Sequence, residues 1–294
     1  MNLPSGFNNT GVVCWFNSLL QSLISCEHFY NHFKDNQDSI ENQSHTYNEL
    51  CTLVNKITKS EDIRPMSVLI LKGMLKDYEI KKQKLDIAFG QQSPRDGLMC
   101  LLEAANNKEL DASFNHVYEV TLICNETKKI LSKKRDNGTI INAFDEESLI
   151  QKGLENFLLS HQCQLETDFV PDPKEYKDYE HKEGYTYKRT YNLRRIPDIT
   201  IISLNRYYTD GKQHRPRNPN INLPDEMNFP FIRGGNLTYK KVATCEHSGG
   251  LNGGHWISRA TREDKTYVFN DMSVVPYEGL KTLPSTYLTF YVKA

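Results

Sequence analysis

The chain has 294 residues, 38% hydrophobic and 25% charged, and its 36 basic and 37 acidic side chains leave a formal charge of −1. That composition fits a globular protein with a sizeable core and excludes a disordered one, while the charge balance argues against a broad nucleic-acid or anionic-membrane surface. No uncharged apolar stretch approaches the roughly 18 residues of a membrane span, the N-terminus lacks a basic region followed by an apolar core, and seven scattered cysteines suit a reducing compartment such as the cytoplasm.

The first third reads as helix. In "TGVVCWFNSLLQSL", Phe16, Leu19, Leu20, Leu23 and Ile24 fall on one helical face. Gly11, Val12 and Val13 are poor helix interior, so this helix is expected to begin near Cys14. "HTYNELCTLVNKI", "MSVLILKGMLKDY" and "SPRDGLMCLLEAANN" follow, the last with Ser93–Pro94 as a helix start. From about residue 113 the pattern turns to β. "HVYEVTLIC" and "TIINAF" flank "KKRDNG", which reads as a hairpin tip. "SLIQKGLENFLLSHQ" returns to helix, and "ETDFVPDPKEYKDYEHKEGY" reads as a loop or ragged edge strand. "DITIISLNRYY", "GGHWISRA", "KTYVFND" and "TYLTFYVKA" are expected as strands of an antiparallel sheet. Helices first and strands later define an α+β chain with segregated layers.

Two places in this layout carry chemistry. A thiol in a first helical turn meets unpaired N–H groups and the positive end of the macrodipole, which favour thiolate. Cys14 is therefore either an inert buried side chain or a nucleophile. A nucleophile needs a base and a group to orient that base. Among nine histidines, His255 stands out, because it follows "SGGLNGG" and opens a strand. If His255 lies opposite Asn270, then Ile257 faces Val268, Arg259 faces Thr266 and Arg262–Glu263 make the turn. Base and orienter then share one face, and Asp271 points away unless the strand ends in a bulge. The alternative is an ordinary hairpin with a half-buried histidine.

"GFNNTGVVCWFNSLLQSL" resembles the cysteine box of the ubiquitin-specific proteases, Gly-Leu-x-Asn-x-Gly-Asn-Thr-Cys-Tyr-x-Asn-Ser-x-Leu-Gln. Gly6, Asn9, Gly11, Cys14, Asn17, Ser18, Leu20 and Gln21 fall in register. "GGHWISRA" with "YVFNDMSV" resembles the histidine box, and "QQSPRDGLMCLL" resembles the Gln-Gln-Asp-x-x-Glu-Phe-Leu segment. "LRRIPDITIISLNRY" and "TYLTFYVKA" resemble two further family strands, so the boxes run in the family's order from residue 6 to 293. The resemblance implies a papain-like cysteine peptidase, one catalytic domain over 1–294, with a helical thumb (about 1–112) and β fingers and an antiparallel palm (about 113–294). It implies Cys14 as nucleophile, His255 as general base, Asn270 as its orienter with Asp271 as the second candidate, and Asn9 as an oxyanion donor. Substrate contacts fall to Asp96, Gly253, Gly254 and Trp256. The implied reaction is hydrolysis of the (iso)peptide bond after ubiquitin's C-terminal Gly-Gly, by a monomer acting on ubiquitinated proteins in the cytoplasm or nucleus of its own or a host cell. The same chemistry on a ubiquitin-like modifier, or a non-catalytic ubiquitin-binding scaffold, are the alternatives.

The departures from the family pattern set further expectations. The fingers usually hold a zinc between two Cys-x-x-Cys pairs, and closed ligation needs four ligands. Cys124 has no second cysteine nearby, and Cys163 with His161 is too sparse, so no metal or cofactor is expected. Trp256 replaces a Tyr, Val12–Val13 replace Asn-Thr, Ser93 replaces an acid, and Gly97 replaces a Phe.

Overall fold

A computed structural model describes residues 4–36, 43–85, 92–143, 153–158, 164–168, 170, 185–204, 207–209, 214–216, 221–230, 236–250 and 253–294. Six helices come first: α1 (Cys14–Ile24), α2 (Glu27–Asp35), α3 (His45–Thr58), α4 (Met66–Ile80), α5 (Pro94–Ala105) and α6 (Lys108–Ala112). The expected starts at Cys14 and at Ser93–Pro94 are where the chain enters α1 and α5. The Ser93 hydroxyl accepts from the Arg95 N–H and Pro94 occupies the first turn. Helix α3 is capped twice. Ser44 accepts from the Tyr47 N–H, and buried Asp77 of α4 accepts from the His45 N–H, the Thr46 N–H and the Thr46 hydroxyl at 2.9, 2.7 and 2.6 Å. A side chain from a neighbouring helix thereby satisfies donors that α3 cannot satisfy itself.

The strands form two main sheets. One is four-stranded, ordered β2 (Ile130–Gly138), β1 (His116–Cys124), β5 (Tyr187–Arg195), β4 (Gln164–Asp168). The other is ordered β13 (Ser273–Tyr277), β12 (Lys265–Asn270), β11 (Gly253–Arg262), β10 (Asn236–Gly250), β14 (Thr286–Lys293), β6 (Ile199–Leu204), β3 (Ile140–Ala143), with β9 (Glu226–Pro230) pairing β10. A short pair, β7 (Tyr207–Thr209) and β8 (His214–Pro216), stands apart.

Two expectations change here. "KKRDNG" is not a turn: it lies inside β2, and the hairpin bends at residues 125–129, where Lys128 takes φ 57°. Among the described residues β2 pairs on one side only, so its charged side chains protect an edge instead of marking a bend. The large sheet is not wholly antiparallel, because β3 pairs β6 in parallel. In the charged stretch 166–185, residues 166–168 belong to edge strand β4, and most of the remainder lies outside the described residues. Of "SLIQKGLENFLLSHQ", residues 153–158 are helical and bury Leu154, Phe157 and Leu158; the rest lies outside the described residues, as do His161 and Cys163.

One apolar core joins the helices to the large sheet, running from Phe16, Leu19 and Leu20 of α1 to Trp256, Ala260 and Phe269. Polar ties register α1 along β11 within it. The Ser22 and Ser258 hydroxyls lie 2.9 Å apart. Arg262 donates to the Gln21 carbonyl and the Ser25 hydroxyl, each at 2.9 Å, with its guanidinium over the Phe269 ring. Burial pushes the Arg262 pKa down to about 9, and the cation sits at the carbonyl end of α1, the favourable end of the helix dipole. These ties hold the helix that begins with Cys14 against the strand that carries His255.

Candidate active site

Cys14 is the first residue of α1 and is 3% exposed. Val13 precedes the helix without a side-chain cap, so no capping side chain takes up the first N–H groups of the turn. Backbone N–H groups of Trp256, Trp15 and Cys14 reach the thiol and lower its pKa, but burial outweighs them and Asp271 adds to the rise. The balance is a pKa above the ordinary thiol value, opposite to the expectation from the helix start alone. Desolvation of the thiolate costs more here than one helix terminus returns.

His255 Nε2 lies 2.6 Å from Asn270 Oδ1. The imidazole donates from Nε2 to the amide oxygen, which leaves the Nδ1 lone pair free to accept a proton. The strands pair with Ser258 opposite Phe269, Arg259 opposite Val268 and Thr261 opposite Thr266. The expected register is therefore displaced by one residue on each strand, and the turn is Glu263–Asp264, both at positive φ (49° and 61°). Two consecutive left-handed residues are what a tight hairpin needs. His255 and Asn270 become diagonal neighbours instead of direct partners, yet they keep the same face.

Asp271 does not point away. Its φ of 51° ends β12 in a turn, and its Oδ2 comes to 3.9 Å from His255 Nε2. The carboxylate is occupied elsewhere: Oδ2 accepts from Asn9 Nδ2 at 2.9 Å and Oδ1 accepts from Asn17 Nδ2 at 2.7 Å. Since a carboxylate only accepts, it fixes the orientation of both amides. Asn9 Oδ1 then faces the Gly11 and Val13 N–H groups at 3.2 and 3.3 Å. The turn also needs Gly6. A Cβ there would lie 2.1 Å from the Asp271 carbonyl oxygen, which accepts from the Phe7 N–H at 3.0 Å.

The remaining sequence-predicted residues lie on β11 and on α5. Trp256 is buried between His247, with ring centroids 4.5 Å apart, and the edge of Tyr287 at 5.2 Å. Gly253 and Gly254 continue the β10–β11 pairing as far as Gly250 opposite Gly253. The glycine-rich stretch is therefore a narrow hairpin tip, with Leu251–Asn252 outside the described residues. A Cβ on Gly254 would sit 2.3 Å from His247 Nε2, and Gly249 holds φ 119°. Asp96 is exposed on the first turn of α5. The next residue, Gly97, leaves room for the indole beside the nucleophile: a Cβ would lie 2.5 Å from Trp15 Cζ3.

The sequence reading missed His247, Asn17 as a partner of Asp271, and Arg262. Asn17 and Gly6 were in the motif register, whereas His247 and Arg262 gain meaning only once β10 and α1 are placed beside β11. No group of His, Cys, Asp and Glu able to hold a metal ion occurs among the described residues. At the tip of the four-stranded sheet, buried Cys124 donates to Glu126 at 3.4 Å, and the Glu126 carboxylate accepts from the Thr186 N–H and hydroxyl.

Helices packed on a mainly antiparallel sheet, with a thiol-bearing helix start reached by the N–H of Trp256 on the strand that carries His255, fit the papain-like cysteine peptidase class. The family model "Ubiquitin carboxyl-terminal hydrolase" matches residues 5–291, and the chain belongs to that family, as a member of the ubiquitin-specific protease type. Ubiquitin carboxyl-terminal hydrolase 21 of mouse is 26% identical over 104 residues, 34% of this chain and 18% of the relative; the rat protein matches equally. The chain thus aligns with less than a fifth of those relatives' length. Among solved structures, a yeast SAGA DUB module with a mutant Sgf73 matches at TM-score 0.73 and 16% identity, covering 99% of this chain and 68% of the other. The SAGA Ubp8/Sgf11/Sus1/Sgf73 DUB module bound to ubiquitin aldehyde matches at 0.73 and 17%, covering 99% and 70%. At these identities the likeness is one of fold.

Proposed function

We propose that the protein is a deubiquitinating cysteine peptidase that hydrolyses the (iso)peptide bond after ubiquitin's C-terminal Gly-Gly. The observation that carries this reading is the thiol at the start of α1, reached by the N–H of Trp256, the residue after His255, whose Nε2 is held by Asn270. His255 Nδ1 takes the Cys14 proton as the sulfur attacks the glycyl carbonyl carbon. The imidazolium returns that proton to the leaving amine, a thioester forms, and water hydrolyses it with His255 again as base. Asn9 has one amide hydrogen committed to Asp271 and the other free for the oxyanion, beside the first N–H groups of α1. Asp96 pairs with an arginine of the ubiquitin tail, and the hairpin tip at Gly253–Gly254 with Trp256 walls its path. The protein acts as a monomer in a reducing compartment of its own or a host cell, a placement supported by its seven scattered cysteines.

The test is ubiquitin carrying a C-terminal electrophile, with the adduct located by mass spectrometry. Labelling at Cys14, and Cys14→Ala losing hydrolysis while still binding ubiquitin, is the expected result. Turnover near wild type in Cys14→Ala overturns the mechanism. Labelling only by a ubiquitin-like probe moves the same chemistry to another modifier.

A further inference from the structure

Trp256 sits where β11 loses one of its two neighbours. On one side the strand pairs β10, with His247 opposite Trp256. On the other, pairing with β12 stops at Ser258–Phe269, because Asp271, which would come opposite Trp256, has left the strand at φ 51°. The Trp256 N–H reaches the Cys14 thiol instead of a strand partner. The His247 N–H is directed to the far side of β10, where it donates to the Ser285 carbonyl at 2.8 Å. With both N–H groups directed outward, His247 and Trp256 form the closely spaced kind of antiparallel pair. Such a pair exchanges no backbone hydrogen bond and brings its side chains together.

The side chains therefore carry the contact. The His247 and Trp256 rings have centroids 4.5 Å apart at an interplanar angle of 40°, and the edge of Tyr287 meets the indole at 5.2 Å. His247 also fills the space over Gly254, where a Cβ would come within 2.3 Å of its Nε2. The imidazole thus lies along residues 254 to 256, the stretch of backbone that carries His255. Burial first and the neighbouring His255 second hold its pKa below the ordinary histidine value. Near neutral pH the ring is uncharged and leaves the proton of catalysis to His255. For the Cys14 thiol the largest influence is burial, which raises its pKa, and the strongest opposing one is the Trp256 N–H, ahead of those of Trp15 and Cys14. Whatever holds Trp256 in place acts on the nucleophile at one remove.

We propose that His247 is a positioning residue of the peptidase site: by stacking on Trp256 it aims the Trp256 N–H at the Cys14 sulfur. The inference rests on the deubiquitinating reading for the reaction it serves, but the contact itself is tested without substrate. No covalent step is added, since His247 touches neither the sulfur nor the proton that His255 takes.

The experiment uses the full chain with His247→Gln, which removes the ring, and His247→Phe, which keeps a ring of similar reach. The first readout is the pH profile of Cys14 alkylation by chloroacetamide, followed by mass spectrometry of the Cys14 peptide. In His247→Gln the midpoint should rise by about 0.5–1 pH unit, the size of one hydrogen bond to the thiolate weakened. In His247→Phe it should stay within about 0.2 unit of wild type. The second readout is ubiquitin–coumarin amide: kcat should fall about fivefold in His247→Gln with KM within about twofold, and recover in His247→Phe. A purely structural role would instead lower Tm and leave the alkylation midpoint where it is. An unchanged midpoint in His247→Gln overturns the proposal, and so does a midpoint in His247→Phe that rises as far as in His247→Gln. If wild type turns over no ubiquitin substrate while the His247→Gln midpoint still rises, the deubiquitinating reading fails and the positioning role stands.

Discussion

Asp271 is the residue whose replacement tests the site most sharply. Its carboxylate makes no short contact with His255, at 3.9 Å, but accepts from Asn9 and Asn17 at 2.9 and 2.7 Å. Asp271→Asn keeps the side chain's size and tolerates φ 51°, so the turn itself should survive. The amide then presents an N–H₂ to at least one of two donors that previously shared a carboxylate, and a charge-assisted bond worth about 1.5–3 kcal/mol is lost. If Asn9 is the donor released, the oxyanion loses a preorganised partner, which typically costs about 10²-fold or more in kcat. KM should change little. The assay pairs turnover of a ubiquitin substrate with alkylation of Cys14 by chloroacetamide, a reaction that forms no oxyanion and still needs thiolate. Asp271→Asn should depress turnover and leave alkylation at or above wild type, because a carboxylate that helps keep the thiol protonated is gone, whereas Asn270→Ala should depress both by freeing the imidazole. The double variant with Asn9→Ala should be no worse than the worse single variant. Alkylation falling as far as turnover in Asp271→Asn, or effects that multiply in the double variant, would refute the reasoning and make Asp271 a partner of His255.

His116 is fully buried, with Nδ1 3.0 Å from the Gly138 carbonyl, and burial pushes its pKa down to about 4. The unfolded chain, near 6.5, binds the proton first, so stability is full above pH 6.5 and falls toward pH 4 by about 3 kcal/mol; urea titrations at pH 8 and 4.5 measure this, and His116→Gln should remove that share of the dependence. Asp96→Asn should lower kcat/KM on ubiquitin substrates about tenfold with little change in Tm, whereas a lower Tm with unchanged kcat/KM would make Asp96 only a helix-start residue. Gly97→Phe should destabilise by about 1–3 kcal/mol through overpacking against Trp15, and Trp15→Tyr in the same chain should recover part of that loss, read as Tm.

The sequence announced those parts of the fold whose pattern is local. The apolar face behind Cys14 and the Ser93–Pro94 start are written in consecutive residues, and α1 and α5 begin there. The β2 strand was hidden because an edge strand pairs on one side, and its lysines, arginine and Asn-Gly mimic a turn. The parallel pairing of β3 with β6 joins segments some sixty residues apart, which no local period encodes. In the site, the histidine–asparagine face was legible because strand faces alternate, so equal shifts on both strands preserve it. The role of Asp271 was not, because alternation fails where the backbone turns to positive φ.

The thiol's raised pKa and the Asn9–Asp271–Asn17 network are linked by where they sit. All three side chains converge at the start of α1, and Asp271 itself helps keep the thiol protonated. A carboxylate this close would be a poor neighbour for a permanent thiolate, yet it is the group that orients Asn9, the proposed oxyanion donor. The two demands are compatible if the thiolate exists mainly while substrate is bound. Negative charge then moves from sulfur to the carbonyl oxygen, toward Asn9 and the α1 N–H groups and away from the sulfur beside Asp271. The proton moves to His255, whose Nε2 is held by Asn270 at 2.6 Å. The same carboxylate thus disfavours the free thiolate and orients the amide proposed to receive the oxyanion, which is the differential that a transition state requires.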